Sequence, residues 1–134
     1  MPSPELQNAI KEYFADKEGV IAVYLFGSYA MDNDDPLSDV DLGVLLDESN
    51  PVTLRDRRDQ YMVDLGRILR KDIHPVLLNS ASEELLRQIF LKGKCILAID
   101  PKKLSQYKMV MFTRIAEFGY YRCRMQSGVI RKVV

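Results

Sequence analysis

Residues 20–46 read VIAVYLFGSYAMDNDDPLSDVDLGVLL, and this stretch decides the fold. Val20 to Phe26 is a nearly continuous apolar run, the pattern of a strand buried on both faces, and Gly27-Ser28 ends it. After a ten-residue spacer, Asp39 to Leu46 reads as a second strand. Side chains alternate along a strand, so Val40, Leu42 and Val44 share one face, and Asp39, Asp41 and Gly43 share the other. The two carboxylates therefore point the same way. Magnesium takes oxygen ligands in a near-octahedral shell, usually one or two carboxylates completed by substrate phosphates, and Asp39-x-Asp41 supplies such a pair. Gly43 continues that face without a side chain and leaves room for a ligand or a close-packed element.

The turn supplies the complementary half. If Ser28 opens a helical turn, its hydroxyl and the free backbone N–H groups there suit a phosphate, because unsatisfied donors and the helix dipole both favour an anion. Triphosphate on one side and metal on the other is the logic of nucleotidyl transfer. Taken singly, Gly-Ser after a strand is an ordinary turn and Asp-x-Asp an ordinary strand end; the combination carries the argument. A calcium loop over Asp32, Asp34, Asp35, Asp39 and Asp41 is excluded, since Pro36 stands at a ligand position and no glycine makes the sharp turn.

Gly27-Ser28, the spacer and Asp39-Val40-Asp41 resemble the signature of the polymerase-beta-type nucleotidyltransferase superfamily. The text LFGSYAMDNDDPLSDVDLGVLL is similar in particular to the minimal nucleotidyltransferases, small prokaryotic proteins encoded beside HEPN-domain ribonuclease toxins. The likeness extends more loosely to Ala98 through HPVLLNSASEELLRQIFLKGKCIL. It implies Gly27 and Ser28 on the triphosphate of ATP, Asp39 and Asp41 as catalytic metal ligands for Mg2+, and a tyrosine of a HEPN toxin as acceptor of AMP. The resemblance also implies a third carboxylate on the next strand, where this chain has His74. Imidazole is a poor magnesium ligand, but its neutral ring is a competent base. Asp72 lies on the same strand face and substitutes if the register shifts; the plain alternative has His74 capping a strand edge beside Pro75. Two readings stay open: a magnesium-dependent transferase that silences a toxin by AMPylation, and a catalytically weakened antitoxin that acts by binding alone. Transfer to a small molecule or an RNA end ranks below both.

The rest of the chain frames these elements as an α/β (α+β) fold, a small mixed sheet flanked by helices. At 134 residues and 47% hydrophobic, it is long enough for one core. Leu6, Ile10, Tyr13 and Phe14 follow helical spacing after Pro4. Leu54, Tyr61, Leu65, Ile68 and Leu69 form the stripe of a second helix, and a third strand is expected over 73–78. Ser82 followed by Glu83 and Glu84 starts a helix that buries Leu85, Leu86, Ile89 and Phe90 before Gly93, and a last strand covers 95–99. Pro101 opens a final helix with Leu104, Met111, Phe112, Ile115, Phe118 and Arg122 on one side. Residues 1–100 are expected to form the nucleotidyltransferase core, with 101–134 as a helical extension.

No run of 18 apolar residues and no leader is present, so neither a membrane span nor a signal peptide is expected and the cytoplasm is the expected location. Cys95 and Cys123 lack metal spacing and are expected to be reduced packing residues. Net charge is zero but unevenly spread. Residues 1–101 hold 11 Lys and Arg against 18 Asp and Glu, a net −7, whereas 102–134 hold 8 against Glu117 alone, a net +7. The basic tail, Lys102, Lys103, Lys108, Arg114, Arg122, Arg124, Arg131 and Lys132, is either an interaction surface or a solvated helix face. Extra apolar side chains there, Met109, Met111, Tyr107, Tyr120, Tyr121 and Met125, fit a partner groove. The expected partner is the HEPN protein; direct nucleic-acid binding is not expected.

Overall fold

A computed structural model describes residues 4–27 and 39–113. Helix α1 (Pro4–Ala15) leads into strand β1 (Val20–Phe26), followed by β2 (Val40–Leu46), α2 (Pro51–Leu69) and β3 (Ile73–Leu77). A 3-10 turn over Leu78–Ser80 leads to α3 (Glu83–Lys92) and β4 (Lys94–Ala98), and residues 101–113 form α4. The strands make one mixed sheet in the order β3-β2-β1-β4, with β2 and β3 parallel and both pairings of β1 antiparallel.

Alternation along the strands divides the core into two layers. Val23, Leu25, Val40, Leu42 and Val44 face α1 and α2, where Ile10, Phe14, Leu54, Tyr61 and Leu65 cover them. Ala22, Tyr24 and Leu45 face the other way, against Leu78, Leu86 and Ile89 and against Leu104 and Met111 of α4. With both faces covered, β1 is buried along nearly its whole length, as its unbroken apolar run requires.

The helices start and stop at recognisable residues. Asn50 caps α2 by accepting from the backbone N–H groups of Val52 and Thr53, and Pro51 takes a first-turn place that needs no donor. Ser82 caps α3 through the Leu85 N–H at 3.2 Å, and Gly93 ends it. Asp100 accepts from Lys103 N ahead of α4. The Asn79 side chain accepts from Leu46 N at 3.0 Å and donates to Leu46 O at 2.7 Å, extending the end of β2 like a fragment of strand.

Several expectations need correction. Ile68 is 53% exposed, because the turn-by-turn drift of α2 carries it past the sheet and leaves Leu54, Tyr61 and Leu65 as the buried stripe. Cys95 is exposed, since β4 is an edge strand whose one buried side chain is Ile96; Cys123 lies outside the described residues. Phe112 is 37% exposed and rests against Phe90 rather than in the core, with Leu104 and Met111 the buried positions of α4. Strand β4 runs one residue earlier than expected, because Gly93 releases the chain directly into pairing at Lys94. The segments 114–134 and 28–38, which contain most of the basic tail and Ser28, lie outside the described residues. Among the described residues no helix is long and apolar enough to cross a membrane.

Candidate functional site

The sheet register builds the site at one end of β1, β2 and β3. Phe26 pairs with Asp41, and Asp41 pairs with His74 on the neighbouring parallel strand. Paired residues project to the same face, so Asp41 and His74 stand side by side on the α3 face of the sheet. Asp39, immediately before β2, reaches the same place: His74 Nε2 lies 3.2 Å from Asp39 Oδ2. Both side chains are about half exposed, which leaves this cluster open to solvent and to a ligand. Asp72 contributes differently. Its backbone carbonyl accepts from Val40 N at 2.9 Å, holding the start of β2 against β3, while His74 is the register partner of Asp41.

Gly27 meets Asp41 directly. Its φ of 73° lies in the left-handed region, and a Cβ built there would drive into Asp41 Oδ2, with Cγ at 3.2 Å. The glycine thus permits both the backbone turn after β1 and the close approach of the carboxylate. The Asp39 and Asp41 carboxylates and Gly27 are brought together as the sequence motif requires.

Gly43 serves packing. A Cβ there would meet Leu78 Cδ2 at 3.1 Å and Ile89 Cδ1 at 3.5 Å, so the space beside the carboxylate pair is filled by the 3-10 turn and α3. That packing also explains the electrostatics of Asp41. Burial raises its carboxyl above the usual carboxylate range, the neighbouring His74 opposes the rise, and the Asp39 charge adds to it. A desolvated carboxylate beside a second one gains from a cation. Among the described residues no group of three or more His, Cys, Asp or Glu could hold a metal ion; Asp39 and Asp41 are two oxygen donors of the kind magnesium takes together with substrate phosphates. The donor set fits Mg2+ through Asp39 and Asp41.

Sequence reasoning did not show how this site is supported. Leu78 and Ile89 roof Gly43, and Tyr107 of α4 donates a hydrogen bond to the Leu78 carbonyl. The apolar pattern marked Ile89 as core; the tyrosine carried no comparable signal.

Comparison with known proteins agrees with this geometry. A search of curated proteins found no match. Among solved structures, the chain is similar to one in the complex of a tri-AMPylated Shewanella oneidensis HEPN toxin with MNT antitoxin, at 22% identity and a TM-score of 0.62, covering 91% of this chain and 89% of that one. It is similar to one in a toxin-antitoxin structure with AMP-PNP, at 26% identity and a TM-score of 0.61, covering 84% and 95%. A third, in the toxin-antitoxin MntA-HepT, gives 21% identity and a TM-score of 0.63, covering 92% of each chain. The sequence profile of the family described as polymerase beta, nucleotidyltransferase matches residues 8–102, a span that holds Gly27, both aspartates and His74. The chain belongs to the polymerase beta nucleotidyltransferase family.

Proposed function

We propose that this protein is a magnesium-dependent adenylyltransferase that moves AMP from ATP to a tyrosine of a HEPN-domain toxin and so acts as its antitoxin. The observation that carries the reading is the convergence of Asp39, Asp41 and Gly27 at one sheet end, with the Asp41 carboxylate seated where a Cβ at position 27 would stand. Family membership supports nucleotidyl transfer. Similarity to chains from toxin-antitoxin structures, one with AMP-PNP and one with a tri-AMPylated toxin, supports the nucleotide and the acceptor. In this reading residues 1–100 are the catalytic core, 101–134 an extension toward the partner, and the protein works in the cytoplasm.

Asp39 and Asp41 hold the metal, and Gly27 with Ser28 receives the triphosphate. The metal that Asp39 and Asp41 would hold would supply positive charge to offset the charge that develops on pyrophosphate. The acceptor hydroxyl oxygen attacks the α-phosphorus, the new P–O bond forms, and the bond to the leaving pyrophosphate breaks. The hydroxyl proton passes to a base at the open rim of the site. His74, in contact with Asp39, is the side chain there whose neutral ring takes that proton as general base.

The His74 position also favours a second reading, an antitoxin that binds its toxin without modifying it, because imidazole is a weak magnesium ligand. Intact mass of the HEPN partner after incubation with ATP and magnesium separates the two. An added AMP mass, or a multiple, with wild type and not with Asp39→Ala supports the transferase. Tight complex formation without a mass change refutes it and leaves the binding reading.

A further inference from the structure

A cleft of about 610 Å³ runs along the outer side of β3, between α2 and the segment leading into α3. It begins at Pro75, the residue after His74, and β3 is an edge of the sheet. Leu54, Val76 and Leu85 give it an apolar floor, and Arg55 and Arg58 stand at its side. These arginines are three residues apart on α2, hence neighbours on one helix face. They are the charged groups among the described residues lining the cleft, and no acidic or aromatic residue lines it. This local excess of positive charge stands out in a stretch, 1–101, that carries a net −7. The Arg58 contact with Asp59, at 3.4 Å between exposed side chains, is too weak to neutralise it.

A second cleft among the described residues, between α1 and α2, is lined by acidic and aromatic side chains as well as basic ones, and there Tyr13 donates to Asp64 at 2.6 Å and Arg57 to the Glu18 carbonyl. In the β3 cleft the charged lining is basic, Arg55 and Arg58.

We infer that the β3 cleft holds an acidic, extended polypeptide segment of the acceptor protein, delivering the hydroxyl to the site at His74. Its shape suits an extended chain, since an apolar floor takes alternate side chains and a basic wall takes carboxylates. RNA is disfavoured, because single-stranded bases are held by stacking on aromatic rings and the described lining has none. Pro75 lacks an N–H, so the incoming segment cannot complete a full ladder with β3, and side-chain contacts carry the specificity. The inference rests on the transferase reading for the identity of the acceptor, while the cleft's preference for an acidic segment stands on its own residues.

The test uses the full chain and its Arg55→Glu/Arg58→Glu variant. Overlapping peptides covering the HEPN partner are titrated against each, with a poly-uridine oligonucleotide as competitor, and AMP transfer to the intact partner is followed in parallel. Circular dichroism and ATP-analogue binding, expected unchanged because neither substitution touches Gly27, Asp39 or Asp41, verify the variant's fold. The expected result is capture of peptides rich in Asp and Glu with apolar neighbours, weakened at least tenfold by charge reversal. Transfer should show KM for the partner raised at least tenfold with kcat retained. Equal capture by wild type and variant, no captured acidic peptide, or displacement by the oligonucleotide overturns the inference. Transfer with unchanged KM in the variant rejects the cleft and keeps the function; arginine-dependent capture with no transfer by wild type rejects the acceptor role and keeps the binding site. If the variant fails to fold, the same measurements on Arg55→Gln/Arg58→Gln decide, with a smaller loss in the same direction expected.

Discussion

Replacing Gly27 by Ala should damage the site in two separable ways. An L-residue at φ 73° costs roughly 1–2 kcal/mol of backbone strain. The added Cβ also displaces the Asp41 carboxylate, and forcing that side chain some 30° from its rotamer costs about 0.5–1.5 kcal/mol more. Gly27→Ala should therefore lose roughly 1.5–3.5 kcal/mol in urea denaturation. Asp41→Ala removes Oδ2 and Cγ, the two atoms a Cβ at position 27 would meet first, and leaves Asp41 Cβ at an ordinary 3.4 Å. In that background Gly27→Ala should cost the backbone share alone, about 1–2 kcal/mol. The difference is a coupling energy on the order of 1 kcal/mol, readable in a double-mutant cycle. Transfer by Gly27→Ala should fall about 100-fold or more, because a misplacement near 1 Å costs that much when geometry drives the reaction. Additive stability effects, or transfer at wild-type rate, would refute the claim that Gly27 exists to seat Asp41.

Three further outcomes follow from other contacts. Asn79→Ala strips the paired bonds to Leu46 N and O, and at about 1–3 kcal/mol for each buried group left unsatisfied it should lower the urea midpoint more than a surface substitution does; an unchanged midpoint would mean water replaces the side chain. Hydrogen bonds from Gln60 and Tyr13 hold the Asp64 carboxyl below its ordinary value of 3.8, so its contribution to stability is full above that value and fades as pH falls through the lower folded-state value. Tyr13→Phe should accordingly flatten the acid limb of the stability curve below about pH 4, measured by thermal melts across pH, and an unaltered limb would remove Tyr13 from that role. His74→Asp places a third carboxylate beside Asp39 and Asp41 and should lower the magnesium concentration needed to bind a non-hydrolysable ATP analogue; an unchanged requirement would put position 74 outside the metal shell.

What was legible in the sequence was legible because the physics is local. Period-two alternation in Asp39–Leu46 is enough to set both carboxylates on one face, and the unbroken apolar run of Val20–Phe26 is enough to bury a strand between two layers. The helix starts at Ser82 and Pro101 were readable from capping chemistry alone. Where the outcome depended on position in the sheet, the sequence fell short. Cys95 has apolar neighbours, yet β4 is an edge, and nothing in a five-residue run announces which strand is last. The fate of Gly43 also required three dimensions. Its bare face could have served a ligand or a packed element, and only the return of Leu78 and Ile89 over it decides for packing.

That roof changes how the C-terminal region should be dissected. Leu104 and Met111 of α4 are buried in the same layer as Leu78 and Ile89, and Tyr107 donates to the Leu78 carbonyl. Leu78 in turn sits over Gly43, two residues from Asp41. Removing everything from Lys102 onward would expose this layer and loosen the packing that fixes the site, so a loss of toxin neutralisation could not be assigned to the basic tail. A cut after Thr113 keeps the helix that covers the layer and removes Arg114, Arg122, Arg124, Arg131 and Lys132. With that boundary, retained ATP-analogue binding together with lost toxin binding would place the partner contact in 114–134. Loss of both would mean that the segment supports the site itself.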